Sequence, residues 1–146
     1  MKELMLVIKS HLQDDITLSY IPDLSIFITP DEQLIPEQTS LPAISIKDGQ
    51  IKNDQKLCKN YIQYAQVKVT VYQRILKQEE SITGTHGVLD MAADVTTSLI
   101  DERFSISGLQ NVFPIGEGES QIMGRENEMM QMKTIIFQYT RHRTWT

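Results

Sequence analysis

With 146 residues, 40% of them hydrophobic and 23% charged, the chain is long enough to bury the core of one domain without disulfides or a structural metal, and no second domain is expected. Its formal charge of -5 argues against a surface built to grip nucleic acid, because an acidic balance repels phosphate. The single Cys58 allows no internal disulfide, and the apolar run Leu4 to Ile8, soon followed by Lys9, His11, Asp14 and Asp15, is too short for a secretory or membrane-spanning segment, so the protein should stay where it is made.

Leu4, Met5, Ile8 and Leu12 recur at three- and four-residue spacing, which predicts an amphipathic helix from Lys2 to about Asp15, with Ile16 closing its buried stripe. Pro22, Pro30, Pro36 and Pro42 punctuate the next segment, leaving Leu24 to Thr29 and Ala43 to Lys47 as short strands with an exposed loop between them. Asp48-Gly49 reads as a turn, and the polar stretch Lys52 to Lys56 as the approach to a long strand. That strand, Ala65 to Leu76, has a clean period of two: Ala65, Val67, Val69 and Val71 mark a core face, and Gln66, Lys68, Thr70, Tyr72 and Arg74 a polar one. Such a strand spans roughly 40 Å at about 3.3 Å per residue, and its one-sided burial favours antiparallel pairing. A polar face this broad suits contact with another subunit.

Lys77 to Glu80 and the cluster Thr83-Gly84-Thr85-His86-Gly87 break the alternation. Val88, Ala92, Val95 and Leu99 then form one helical row, with Leu89, Thr96 and Ile100 beside it and Asp90 and Asp94 early, where the helix dipole favours negative charge. Ile106 to Ile115 reads as a strand interrupted by Gly108 and Pro114, hence an edge strand or a bulged one. The last strand, about Met129 to Arg143, is apolar on both faces at Ile135, Ile136 and Phe137 and should be central. Together these elements predict an α+β fold, a mostly antiparallel sheet of about five strands with two helices packed against it.

No residue cluster reads as catalytic, cofactor-binding or metal-ligating. His11, His86 and His142 lack a second ligand at a zinc-like spacing. His86 near Asp90 and Ser81 invites a triad reading, but it falls in a Gly-rich turn and no serine sits in a nucleophile elbow. The adjacent carboxylates Asp14-Asp15, Asp31-Glu32 and Glu79-Glu80 diverge on any regular element and read as solvated surface. Gly116-Glu117-Gly118-Glu119-Ser120 places two carboxylates where a phosphate would sit. From Gly116 to Glu128, Glu117, Glu119, Glu126 and Glu128 stand against Arg125 alone, a net of -3 that reads as a mobile acidic hairpin tip. Met123, Met129, Met130 and Met132 gather at the start of the last strand as core filling or an adaptable interface, and Arg141, His142, Arg143 and Trp145 form a short basic-aromatic end.

The element order, with Leu41-Pro42-Ala43-Ile44 entering an early strand and Phe137-Gln138-Tyr139-Thr140-Arg141 in the closing one, resembles the tail terminator and tail completion proteins of long-tailed bacteriophages and prophages. The resemblance covers nearly the whole chain. It implies a small α+β subunit without enzymatic activity or cofactor, assembling as a homohexameric ring that caps the tail tube and joins it to the head. Its partners would be other copies of itself, the tail tube protein and a head-completion or connector protein, with DNA passing through unbound and no membrane involved. The subunit would be found in the host cytoplasm during assembly and then in the virion tail. Carried over by position, the strand from Gln66 to Arg74 and the hairpin from Gly116 to Glu128 would be contact surfaces, with Lys68, Tyr72, Arg74, Tyr139 and Arg141 at the subunit interface and Glu117, Glu119, Glu126 and Glu128 facing the lumen or the tube. Two other readings stay open: a small-ligand or enzymatic α+β domain with a loop-built pocket, and a monomeric assembly adaptor or chaperone.

Overall fold

The computed structural model describes residues 1–125 and 128–145, with Arg125 described in its backbone only. Helix α1 (Lys2–Asp14) buries Leu4, Met5, Ile8 and Leu12, the stripe its periodicity sets. Beyond it Asp15 turns extended, its carboxylate accepts the Thr17 N–H at 2.9 Å, and a 3-10 turn over Ile16–Leu18 follows. The remaining elements are β1 (Ile26–Ile28), β2 (Ala43–Leu57), β3 (Asn60–Arg74), α2 (Gln78–Thr83), α3 (Val88–Leu99), β4 (Leu109–Glu117), β5 (Gln121–Arg125) and β6 (Glu128–Thr144).

The α+β class holds, but the sheet is six-stranded and mixed rather than a mostly antiparallel sheet of about five. Its order is β1-β2-β3-β6-β4, with β5 pairing the start of β6 on the edge that β4 occupies further along. β1 runs parallel to β2 with Ile26 opposite Ile44. The physical reason lies in the connection: residues 29–42 are long enough to carry the chain back along the sheet, whereas a tight turn would have forced a hairpin.

Two boundaries differ from expectation in β2 and β3. Asp48-Gly49 is no turn; β2 continues through it to Leu57, with a register shift between Asp48 and Ile51, and the polar stretch Lys52 to Lys56 is strand. Glycine suits a bulge as well as a turn, and here a Cβ on Gly49 would lie 2.9 Å from the Gln66 carbonyl oxygen. β3 accordingly starts at Asn60 instead of Ala65 and ends at Arg74. It pairs β6 in unbroken register from Asn60 opposite Thr144 to Arg74 opposite Met130, so β6 is central. β4 is the bulged edge strand the sequence suggests, with shifts between Leu109 and Asn111 and between Pro114 and Gly116. Gly108, at φ 79°, enters it so closely that a Cβ would sit 2.3 Å from the His142 carbonyl oxygen.

Both long helices cover one face of the sheet. Ile8 and Leu12 of α1, Met91, Val95 and Leu99 of α3, and Val67, Val69, Ile135, Phe137 and Tyr139 of the strands share one buried cluster. Burying a large apolar side chain of this kind stabilises the fold by about 1.5–3 kcal/mol, so this cluster holds the helices in place. The short α2 replaces what reads in sequence as a plain break. The strands β3 and β6, 15 and 17 residues long, reach roughly 50 Å, while α1 and α3 reach roughly 20 Å. The distal parts of β2, β3 and β6 therefore outrun the helices as a three-stranded arm, and Asn53 and Gln55 to Asn60 are exposed along it.

Candidate functional site

The sheet face turned away from the helices carries two different surfaces. At one end Phe27, Ala43, Tyr72, Met130 and Met132 form a second buried cluster, with Ile35, Leu41 and Met123 packed over it. The Pro-bounded loop is thus a cover for this cluster rather than a wholly exposed excursion. Tyr72 is its hub. The Tyr72 hydroxyl donates to the Glu32 carbonyl at 2.7 Å, which leaves the Ser45 hydroxyl as donor in the 2.8 Å bond between the two side chains. Burial pushes the Tyr72 phenol up to about 12.

The rest of that face is open. Lys68 stands opposite Ile136, Gln66 opposite Gln138 and Tyr64 opposite Thr140, all half-buried. Around them runs a shallow trough of about 670 Å³ lined by Gln50, Ile51, Lys52, Asp54, Tyr64, Gln66 and Gln138. A smaller depression of about 190 Å³ brings Lys68 near Glu32 and Glu119. Amides, a phenol and isolated charges on a broad open surface suit hydrogen bonding to a macromolecular partner, whereas small-ligand sites are concave and mostly apolar.

The five residues expected at a subunit interface do not form one surface. Tyr72 and Tyr139 are both fully buried, Tyr72 under the loop and Tyr139 on the helical side beside Phe104, so neither ring is free to anchor a partner. Alternation assigns Tyr72 to the polar face correctly, but only the tertiary fold brings residues 30–42 down over it. Burial, with a smaller contribution from Glu102, raises the Tyr139 phenol pKa well above its usual value. Arg141 is taken up within the chain, donating to the Ser107 carbonyl at 3.1 Å and lying 3.8 Å from Glu3. Arg74 is half-exposed and pairs with Glu128. Lys68 alone remains on the open face.

Among the acidic residues, Glu117 ends β4 and Glu119 lies in the β4–β5 turn, both exposed. Glu128 starts β6 beside Arg74, and Glu126 lies outside the described residues. The Gly116-to-Ser120 segment is fastened to β6: the Gly118 N–H donates to the Thr134 carbonyl at 2.9 Å and Lys133 Nζ donates to the Gly118 carbonyl at 2.8 Å. Of the methionines, Met130 and Met132 fill the second cluster and Met129 is exposed.

His86 adopts φ 62° and stacks on Tyr20 at 3.7 Å between ring centroids, while the buried Ser81 hydroxyl donates to the Gln78 carbonyl. No nucleophile–base pair links the two. Tyr20 donates to the Asp94 carboxylate at 3.1 Å, and burial together with that carboxylate raises its phenol pKa. His11 Nε2 lies 3.0 Å from the Ser98 carbonyl and ties α1 to α3. Among the described residues no group of three or more His, Cys, Asp or Glu could hold a metal ion, and no helix is long and apolar enough to cross a membrane.

The fold has a counterpart among solved virion structures. A chain of the virion of a native gene transfer agent particle superposes with a TM-score of 0.64, over 96% of this chain and 95% of that one, at 14% identity. At that identity the likeness shows a shared fold. No family model matches the sequence, and no curated protein matches it.

Of the basic-aromatic end, Arg141, His142 and Arg143 belong to β6, and Trp145 follows directly after it. Trp145 stacks on Tyr61 at 4.6 Å, its backbone N–H donates to the Lys59 carbonyl at 2.9 Å, and the Thr144 hydroxyl donates to Asn60 Oδ1 at 2.9 Å. Sequence reasoning missed the arm these contacts close. The available signal was the two-residue spacing of Tyr61, Gln63 and Ala65 in phase with Val67 and Val69, which extends the long strand back to Asn60.

Proposed function

We propose that this chain is a phage-type structural protein of a virion-like particle, and within that class a tail terminator: a subunit that closes into a homo-oligomeric ring on the end of the tail tube and joins tail to head. The observation that carries this reading is the near end-to-end likeness of fold to a chain of a gene transfer agent virion. The sequence resemblance to tail terminators points the same way. A broad open sheet face and a projecting arm give each subunit more than one surface for neighbours, as a ring of head-to-tail contacts requires.

On this reading the chain works by shape and charge, without catalysis, cofactor or metal. DNA must slide through a tail, and gripping its phosphates would add counterion-linked affinity at every step, so a net charge of -5 on each subunit is favourable. The tail tube protein and a head-completion or connector protein are the partners, with assembly in the host cytoplasm and residence in the particle tail afterwards. Exposed Glu117 and Glu119 belong near a contact or lumen surface, and Lys68 on the open face belongs to a subunit or tube contact.

Negative-stain imaging of the purified protein, alone and mixed with tail tubes of its own particle, tests this. Rings, or caps at one tube end only, are expected. Intact tubes without caps, together with an absence of rings, would refute the terminator role.

A further inference from the structure

The two ends of the sheet carry opposite charge and matching apolar surface. At the arm, Leu57 is 71% and Trp145 58% exposed, and Lys56, Lys59 and Arg143 flank them. On the β4 edge of the sheet, Phe113 is 56% exposed on the face it shares with Gln138, and Glu117 at the end of β4 and Glu119 in the turn after it are exposed. Phe113 pairs with Gln138 and Glu117 with Ile135, while the arm closes at Thr144, so the two surfaces lie roughly 20–30 Å apart along β6 at about 3.3 Å per residue. That separation keeps them from meeting within one chain. Pro114 lacks an N–H and the β4 bulges disrupt its outer ladder, so this edge is poorly suited to adding a strand and better suited to a side-chain contact.

We propose that copies of this chain join head to tail, with the arm of one seated on the β4–β5 edge of the next. Trp145, held flat against Tyr61, is the apolar anchor and packs on Phe113 of the neighbour. Lys56, Lys59 and Arg143 face the neighbour's Glu117 and Glu119, and this complementarity fixes the direction of the contact. The occupant is a second copy because the chain itself supplies both halves of the match. The contact joins unlike surfaces, so repeating it closes a ring when the rotation per subunit closes. This inference rests on the ring reading and names the surfaces that form it.

Cys58, the only cysteine and exposed at the arm tip, permits a direct test on the unaltered chain. A photoactivatable maleimide on Cys58 is irradiated across a concentration series monitored by sedimentation, and cross-linked peptides are mapped. Inter-chain links from Cys58 into residues 113–122 are the expected result. Inter-chain links that map elsewhere would overturn this contact while leaving ring assembly standing. A chain that stays monomeric, without inter-chain links at any concentration or on tail tubes, would overturn both.

Charge exchange supplies the second measurement. Reversing the arm (Lys56→Glu, Lys59→Glu, Arg143→Glu) or the edge (Glu117→Lys, Glu119→Lys) should each weaken self-association on the order of tenfold or more, and combining both sets in one chain should restore it. Equal mixtures of the two single-set variants should also assemble, by alternating. No rescue in either format would count against the contact. A labelled DNA duplex is the parallel probe: arm-dependent DNA binding without inter-chain links would assign the arm to nucleic acid instead.

Discussion

The Tyr72 hydroxyl fastens the 30–42 loop to the sheet, and Tyr72→Phe isolates its contribution. The substitution keeps the ring against Phe27, leaves the fully buried site filled, and removes two hydrogen bonds, to the Glu32 carbonyl at 2.7 Å and from the Ser45 hydroxyl at 2.8 Å. Each such bond contributes about 0.5–1.5 kcal/mol net, and Ser45, only 1% exposed, is left without its acceptor. The sum is a destabilisation of roughly 2 kcal/mol, a fall in Tm of about 4–8 °C for a chain of this size. Urea denaturation followed by far-UV circular dichroism measures the first quantity. A double-mutant cycle with Ser45→Ala should return a coupling of about 1 kcal/mol. Limited proteolysis near Glu32 and Leu34 should quicken as the loop loses its tether. A loss below about 0.5 kcal/mol with additive single effects would refute the view that this hydroxyl clamps the loop.

Other outcomes follow from the same geometry. Folded Tyr72 titrates near 12 against an ordinary value of 10.0, and Tyr139 is shifted in the same direction, so both stabilise the fold while neutral. Their contribution is fully present below pH 10 and is lost as pH rises toward the folded values, on the order of 2–3 kcal/mol for Tyr72, which an alkaline denaturation series on wild type and Tyr72→Phe should resolve. Gly108→Ala places a Cβ 2.3 Å from the His142 carbonyl oxygen at φ 79°, so it should destabilise by roughly 2 kcal/mol or more and loosen the entry to β4, visible as faster amide exchange there. Trp145 is the only tryptophan; Tyr61→Ala should shift its emission to the red and cost about 0.5–1.5 kcal/mol from the lost stack beyond area burial, with the helical signal unchanged.

Local pattern alone determined a good part of this protein. The spacing of Leu4, Met5, Ile8 and Leu12 specified α1, the row from Val88 to Leu99 specified α3, and the alternation of Val67, Val69 and Val71 specified which face of β3 meets them. These features are legible because each depends on the period of one element against one apolar layer. Gly108 and Pro114 marked β4 as an irregular edge for a comparable reason, since each restricts the backbone wherever it stands. What the sequence could not contain is what depends on elements distant along the chain. The parallel setting of β1 on β2, the descent of the 30–42 loop over Tyr72 and the withdrawal of Arg141 to Glu3 and Ser107 are long-range packing outcomes. The bulge at Gly49 belongs with them, because turn and bulge share the same residue chemistry and only the pairing with Gln66 separates them. The candidate surfaces divide in the same way. The acidic and basic-aromatic segments could be read as charge and composition, but their placement on opposite ends of one sheet follows from strands that outrun the helices covering them.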